Sequence, residues 1–448
     1  MSRIVILGLG TAGFAAILAA KKTDRAAEIT VIDDKTYDLM HPCGLPYAVE
    51  GIIDTFDKLK HPLHLDRMKV DVLHPFRVES IDAEKQLVHA VPADGGAAVE
   101  VAYGKLLICT GAQPFVPPVP GLAEAMGRGA FTVSTPDDAC ALHHAARAGL
   151  RAVCLGAGAI GLESAVALRR KGLDVTILEM LGGVMPRALD ADMAALVQEH
   201  LETLGIRVLC SRKLDAVRSA DNGLVSVQAD GQDIPCDILV AAAGVRANTR
   251  AAAAAGVQVG RTGIIINEKM QTSVPNIYAA GDCVQTKSLI DGKDFTLQLS
   301  TTAYRQGAVA GTNAAGGSAT YPGITGAFVS KVGDLEVAAV GYTADFAAAL
   351  GYKTLFGKIK DTTLYDWYPG GQTLTVKVVA DADTGRVLGA QAVGAAGAAA
   401  RVNVVSAALS AGLDLEALSA LEFAYCPAVS QVYDPLTKAV DLAIRKKK

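Results

Sequence analysis

The chain has 448 residues, more than one hydrophobic core holds, so about two to four domains are expected, with three as the working number. A net charge of −4, with 20% charged and 51% hydrophobic residues, describes an ordinary globular protein and excludes a nucleic-acid binder. The eight cysteines, at 43, 109, 140, 154, 210, 236, 283 and 426, include no CxxC pair and no dense disulfide-scaffold spacing; they point to a reducing, cytoplasmic compartment and offer no metal site.

In chain order, Arg3 is followed by an apolar run from Ile4 to Ala20 and then Lys21-Lys22, an outline shared with signal peptides and short anchors. Gly8, Gly10 and Gly13 give it a better reading. Residues 3–7 read as a strand, Gly8-Leu9-Gly10-Thr11-Ala12-Gly13 as a tight turn, and 14–22 as a helix. The first glycine makes the turn, the second lets a pyrophosphate reach backbone N–H groups, and the third lets helix and strand pack closely. Residues 28–32 read as a second strand ending in Asp33, about twenty residues past the third glycine, where an acid accepts hydrogen bonds from a ribose diol. This is a nucleotide-binding unit.

Cys43-Gly44-Leu45-Pro46-Tyr47 comes next. A lone cysteine is more often a small core residue than a reagent, and His41 before it is more often local packing than a catalytic aid. Pro46 fits only a first helical turn, so a helix over 44–50 capped by Cys43 is expected, its N-terminus favouring the attacking thiolate.

The first unit's pattern returns at 151–155 (strand), Gly156-Ala157-Gly158-Ala159-Ile160-Gly161 (turn), 162–171 (helix) and 174–178 (strand), ending in Glu179. Glu179 repels a 2′-phosphate and no arginine follows closely, which favours NADH over NADPH at this second site. Between the two units, 106–112, carrying Thr110-Gly111, runs into a proline-rich 114–121, and 239–244, ending in Gly244, repeats that exit. Residues 272–282 read as a short strand reaching Gly281-Asp282, an acid placed for a ribityl hydroxyl rather than for a helix cap. The small-residue run at 390–412 holds Arg401 and Asn403, and no transmembrane helix is expected. In the last segment, 374–379 alternates as a strand, 381–385 makes a turn, and the basic tail 445–448 reads as a solvated end.

Together, Gly8 to Asp33, Thr110-Gly111, Gly156 to Glu179 and Gly281-Asp282 resemble the FAD-dependent pyridine nucleotide-disulfide oxidoreductases over essentially the whole chain. The resemblance implies an α/β fold of two Rossmann-like nucleotide-binding domains, the NAD domain inserted in the FAD domain, plus a C-terminal α+β dimerisation domain. The boundaries expected are 1–113 and 247–322 for FAD, 114–246 for NAD(H), and 323–448 for the dimer domain. FAD falls to Gly8, Gly10, Gly13, Asp33, Thr110, Gly111, Gly281 and Asp282. Thr302 and Ala303, in the matching run 299–307, bring a helix N-terminus to the flavin. NAD(H) falls to Gly156, Gly158, Gly161, Glu179 and Gly244.

Dithiol members of the superfamily carry a second cysteine five residues on, but Ala48 stands there, and the closing His-Pro segment is missing. The single-cysteine segment instead resembles coenzyme A disulfide reductases and the related persulfide reductases and NADH oxidases. That branch implies a homodimer whose closing motif donates tyrosines to the partner's site. Tyr425 fits this, and Tyr368 fits it less well, since Trp367 replaces a tyrosine. Cys426-Pro427 stands where the branch has two prolines, an extra thiol without an interpretation.

The expected function is passage of electrons from NADH through FAD to a Cys43-linked thiol, disulfide or persulfide, with Tyr425 supplying a proton to the leaving thiol. The alternative is an FAD-containing electron-transfer subunit of a larger complex, partnered by an iron–sulfur protein. A third class is an oxidase working through a cysteine sulfenic acid.

Overall fold

The computed structural model describes residues 3–221 and 223–447. The chain divides into two compact units, one of residues 1–42, 55–113 and 245–324, the other of 43–54, 114–244 and 325–448.

The first unit is built on a five-stranded parallel sheet in the order 277–279, 105–108, 4–7, 29–32, 70–73. The strand Ile4–Leu7 is buried on both faces, which is why it reads as an unbroken apolar run. The helix Thr11–Thr23 follows it, and the helix Ser300–Ala314 lies against that one. Their backbones nearly touch: a Cβ added at Gly307 would stand 2.1 Å from the Ala12 carbonyl oxygen, and one at Gly311 2.1 Å from that of Ala16. An antiparallel meander, 76–82, 87–92 and 99–102, completes the unit.

The second unit repeats the plan with a parallel sheet ordered 130–131, 238–241, 151–155, 174–178, 207–209 and a second meander from 214 to 235. It adds a five-stranded antiparallel sheet, 328–332, 335–341, 387–394, 373–381, 354–362, packed by the helices Ala398–Ala411 and Pro435–Lys447. The strand Thr373–Asp381 alternates in sequence yet is buried along both faces, its polar members Thr375 and Lys377 each 3% exposed. Lys377 can be there because its ammonium lies 2.8 Å from carboxylate oxygens of both Asp190 and Asp192.

The basic tail is helical, and it stays solvated as expected, with Arg445 and Lys446 exposed. Residues up to 447 are the last turn of the helix Pro435–Lys447, where basic residues suit the negative helix end and Lys446 donates to the Phe356 carbonyl at 3.0 Å. Lys448 lies outside the described residues. Among the described residues no helix is long and apolar enough to cross a membrane.

Candidate functional site

In the first unit the three glycines of the opening turn divide their tasks. Gly8 has φ +99°, and a Cβ there would lie 2.4 Å from the Cys109 carbonyl oxygen; one on Gly13 would lie 2.1 Å from that of Gly8. Gly10 alone has nothing within 4 Å of the corresponding point. The outer two glycines are thus required by the protein's own backbone, and the middle one faces free space. Gly10 is also the N-cap of the following helix and offers no side-chain acceptor, so the first-turn N–H groups remain available to an anion. Asp33, 4% exposed, accepts the Leu9 N–H at 2.5 Å, and Lys35 reaches its carboxylate at 2.5 Å.

The exits from the sheet are locked to each other. Thr110 Oγ1 donates to the Asn248 carbonyl at 2.7 Å, and Asn248 Nδ2 returns a bond to the Thr110 carbonyl at 2.9 Å, with Gly111 at φ +63°. Gly281, at φ +87°, donates its N–H to Oε1 of the buried Gln306 at 3.0 Å. That bond pins the Gly281-Asp282 corner to the helix Ser300–Ala314, whose first turn carries Thr302 and Ala303 and whose N-cap, Leu299, has no side-chain acceptor. Asp282 carries no hydrogen-bond partner on its carboxylate among the described residues, and burial pushes the group up to about 6. An open middle glycine, two uncapped helix starts and a partnerless shielded carboxylate fit the phosphates and ribityl hydroxyls of a flavin dinucleotide.

The second unit holds a near copy. A Cβ on Gly156 would stand 2.4 Å from the Ala242 carbonyl oxygen and one on Gly161 2.0 Å from that of Gly156, whereas Gly158 is open. Glu179, 8% exposed, accepts the N–H of Ala157 at 2.7 Å and of Leu181 at 2.8 Å, so its carboxylate stands fixed beside the turn as Asp33 does in the first. Gly244, at φ +104°, closes the strand Ile238–Ala241 beyond the turn. This set fits a second dinucleotide.

Cys43 is exposed, in the short 3₁₀ turn Pro42–Gly44. The expectation that it caps the next helix is corrected: the cap of Leu45–Glu50 is Gly44, and Cys43 stands one residue before it. Gly44 already has helical φ and ψ, so the tight turn adds a residue ahead of the helix proper. His41 contacts His61 edge-on at 5.4 Å between ring centroids, which is packing.

Tyr368 and Tyr425 stand in segments that the structure brings together. Tyr365 stacks on Trp367 at 5.7 Å, Trp367 meets Tyr368 edge-on at 6.2 Å, and the Tyr365 hydroxyl accepts the Val432 N–H at 3.1 Å. Buried Gln431 donates to the Thr362 carbonyl at 2.7 Å and accepts from Lys438 at 2.9 Å. In the segments that meet at this joint Trp367, Tyr425, Val429 and Val432 are each exposed, as is Cys426, next to Tyr425 in the chain. Lys35, Gln306, Tyr365 and Gln431 were missed by sequence reasoning; each acts through a partner brought close only by folding, except Lys35, whose spacing of two from Asp33 was visible.

Residues 2–307 match the model of the pyridine nucleotide-disulphide oxidoreductase family, and 328–436 match the dimerisation domain of that family. The chain is 38% identical over 449 residues to an NADH oxidase of Methanocaldococcus jannaschii, covering 99% of each. It is 32% identical over 438 residues to the CoA-dependent NAD(P)H sulfur oxidoreductase of Pyrococcus furiosus, covering 97% of each. The solved NAD-dependent persulfide reductase of A. fulgidus superposes with a TM-score of 0.95 at 33% identity, over 99% of this chain and 83% of that one. The chain therefore belongs to the pyridine nucleotide-disulphide oxidoreductase family, as an FAD- and NAD(P)H-dependent oxidoreductase.

Proposed function

We propose that the chain is an NADH-dependent reductase of a small-molecule disulfide or persulfide, of the coenzyme A disulfide type, with Cys43 as the reacting sulfur. The observation carrying the reading is an exposed Cys43 in a Cys-Gly-Leu-Pro-Tyr segment with alanine, not a second cysteine, at 48. The names of the Pyrococcus furiosus and A. fulgidus relatives support it.

The first glycine turn, with Asp33, Thr110, Gly111, Asp282, Thr302 and Ala303, holds FAD; the second, with Glu179 and Gly244, holds NADH. We take 1–113 with 247–322, 114–246 and 323–448 as the FAD, NAD(H) and dimer domains. The flavin, when bound, supplies acceptance of a hydride equivalent and its return as an electron pair. The protein's own part is the sulfur chemistry. The Cys43 thiolate attacks one sulfur of R–S–S–R′, forming Cys43–S–S–R and releasing R′S⁻, which takes its proton from Tyr425 of the partner subunit, with Tyr368 of the partner subunit beside it. Two electrons from NADH then cleave the mixed disulfide to Cys43 thiolate and RSH, so one NADH is consumed per disulfide. A homodimer in the cytoplasm fits this arrangement.

The test is Cys43→Ser in the flavin-loaded enzyme under anaerobic conditions. NADH-dependent reduction of disulfides and persulfides is expected to fall by at least about a hundredfold, while NADH still bleaches the flavin. Retention of turnover with every acceptor overturns thiol chemistry and favours the electron-transfer subunit paired with an iron–sulfur protein.

A further inference from the structure

The two acids beside the glycine turns are held by the same backbone frame. Asp33 accepts the N–H of Leu9, in the turn, at 2.5 Å and that of Lys35, two residues on, at 2.8 Å. Glu179 accepts the N–H of Ala157, in its turn, at 2.7 Å and that of Leu181, two residues on, at 2.8 Å. In both, each carboxylate oxygen takes one of the two backbone donors.

The residue two beyond the acid breaks the likeness. At the second site it is Leu181, an exposed apolar side chain. At the first it is Lys35, whose ammonium meets Oδ1 of Asp33 at 2.6 Å and Oδ2 at 2.5 Å. A carboxylate has about four lone-pair sites. Glu179 spends two of them on backbone N–H groups and keeps one on each oxygen, which is what the two hydroxyls of a ribose diol require. Asp33 has all four taken. Of these bonds only those to the ammonium can be given up, because the N–H groups are fixed in the main chain. The Lys35 stem is flexible and partly exposed, and the face of the Tyr37 ring, 6.0 Å from Nζ, gives the cation somewhere to go.

We propose that Lys35 is a built-in competitor of the ribose diol for Asp33, and so sets how tightly the first site holds FAD. This rests on the reading of Asp33 as the FAD-binding acid. A hydroxyl pair entering there must expel the ammonium, exchanging one set of charge-assisted bonds for another, whereas at Glu179 it enters without displacing anything. An ammonium also attracts phosphates, but the saturation of Asp33 favours competition over that attraction. One backbone frame thus gives two adenosine sites of different strength, and the difference lies in one side chain.

The experiment uses the purified holoenzyme, diluted serially so that released FAD, followed by its fluorescence, gives the Kd. Lys35→Met, which keeps most of the stem and removes the charge, is expected to tighten FAD about tenfold, the scale of a charge-assisted bond no longer broken on binding. In an Asp33→Asn background the same change is expected to move the Kd by less than about twofold, because both residues act through one carboxylate. Leu181→Lys is expected to weaken NAD⁺ at the second site about tenfold, read by calorimetry on the oxidised holoenzyme. Unchanged or weaker FAD binding in K35M overturns the proposal, as does an equal K35M effect with and without Asp33, or undiminished NAD⁺ binding in L181K. If D33N holds FAD as tightly as the unaltered chain, the reading of Asp33 as the FAD-binding acid fails and the competition falls with it. A weakened D33N beside an unmoved K35M strikes the competition alone.

Discussion

Asp282 is a shielded carboxylate with no hydrogen-bond partner among the described residues. Its ordinary value of 3.8 is raised to about 6 by burial, so the folded protein holds the proton more tightly than the unfolded one. Its contribution to stability is therefore fully present below about pH 4, declines as pH rises, and is lost above about pH 6. The flavin-stripped protein is expected to lose about 2 kcal/mol relative to Asp282→Asn between those limits, measured by chemical denaturation at stepped pH. At this scale the glycines and the two acids, Asp33 and Glu179, were legible because their spacing along one turn is local. Gln306 was not: nothing in its neighbourhood says that its amide meets the Gly281 N–H twenty-five residues back.

Among elements, the pairing of Thr11–Thr23 with Ser300–Ala314 leaves no tolerance. Gly307→Ala places a methyl 2.1 Å from the Ala12 carbonyl, a backbone atom that cannot rotate away. The helices must part, at about 2–3 kcal/mol, and since both begin at the proposed flavin site, lower flavin content and a lower Tm of the purified variant are the expected results. The helix Leu45–Glu50 was foreseen from Pro46, but its start was off by one residue. Sequence cues locate a helix better than its cap, because a 3₁₀ turn such as Pro42–Gly44 leaves no composition of its own. The burial of Thr375 and Lys377 was equally hidden, since alternation ordinarily marks a strand with one wet face.

Across the molecule, the repeated strand–turn–helix pattern made the α/β plan and its two nucleotide units legible, since each rests on short-range signals used twice. What joins the later parts was not. Lys377, at 4% side-chain exposure, is held by Asp190 at 5% and by Asp192, and Asp190 also accepts from Gln391 Nε2 at 2.8 Å. This tie reaches from the start of the helix Ala191–Thr203 to the antiparallel sheet of the same unit. Lys377→Met leaves the buried Asp190 carboxylate without its cation and is expected to cost about 3–5 kcal/mol in guanidinium denaturation. The double variant D190N/K377M is expected to cost less than the sum of the single changes, the signature of a coupled pair.

Residues 43–54 leave the first unit at Pro42 and rejoin it at Thr55, yet they are bonded by side chains far along the chain, Arg170 to Glu50 at 2.7 Å and His143 to the Val49 carbonyl at 2.9 Å. For anyone building chimaeras, the dodecapeptide is thus not a portable cassette. Grafted alone into a related scaffold it arrives without its moorings, and the smallest exchangeable part is the peptide together with those two distant residues.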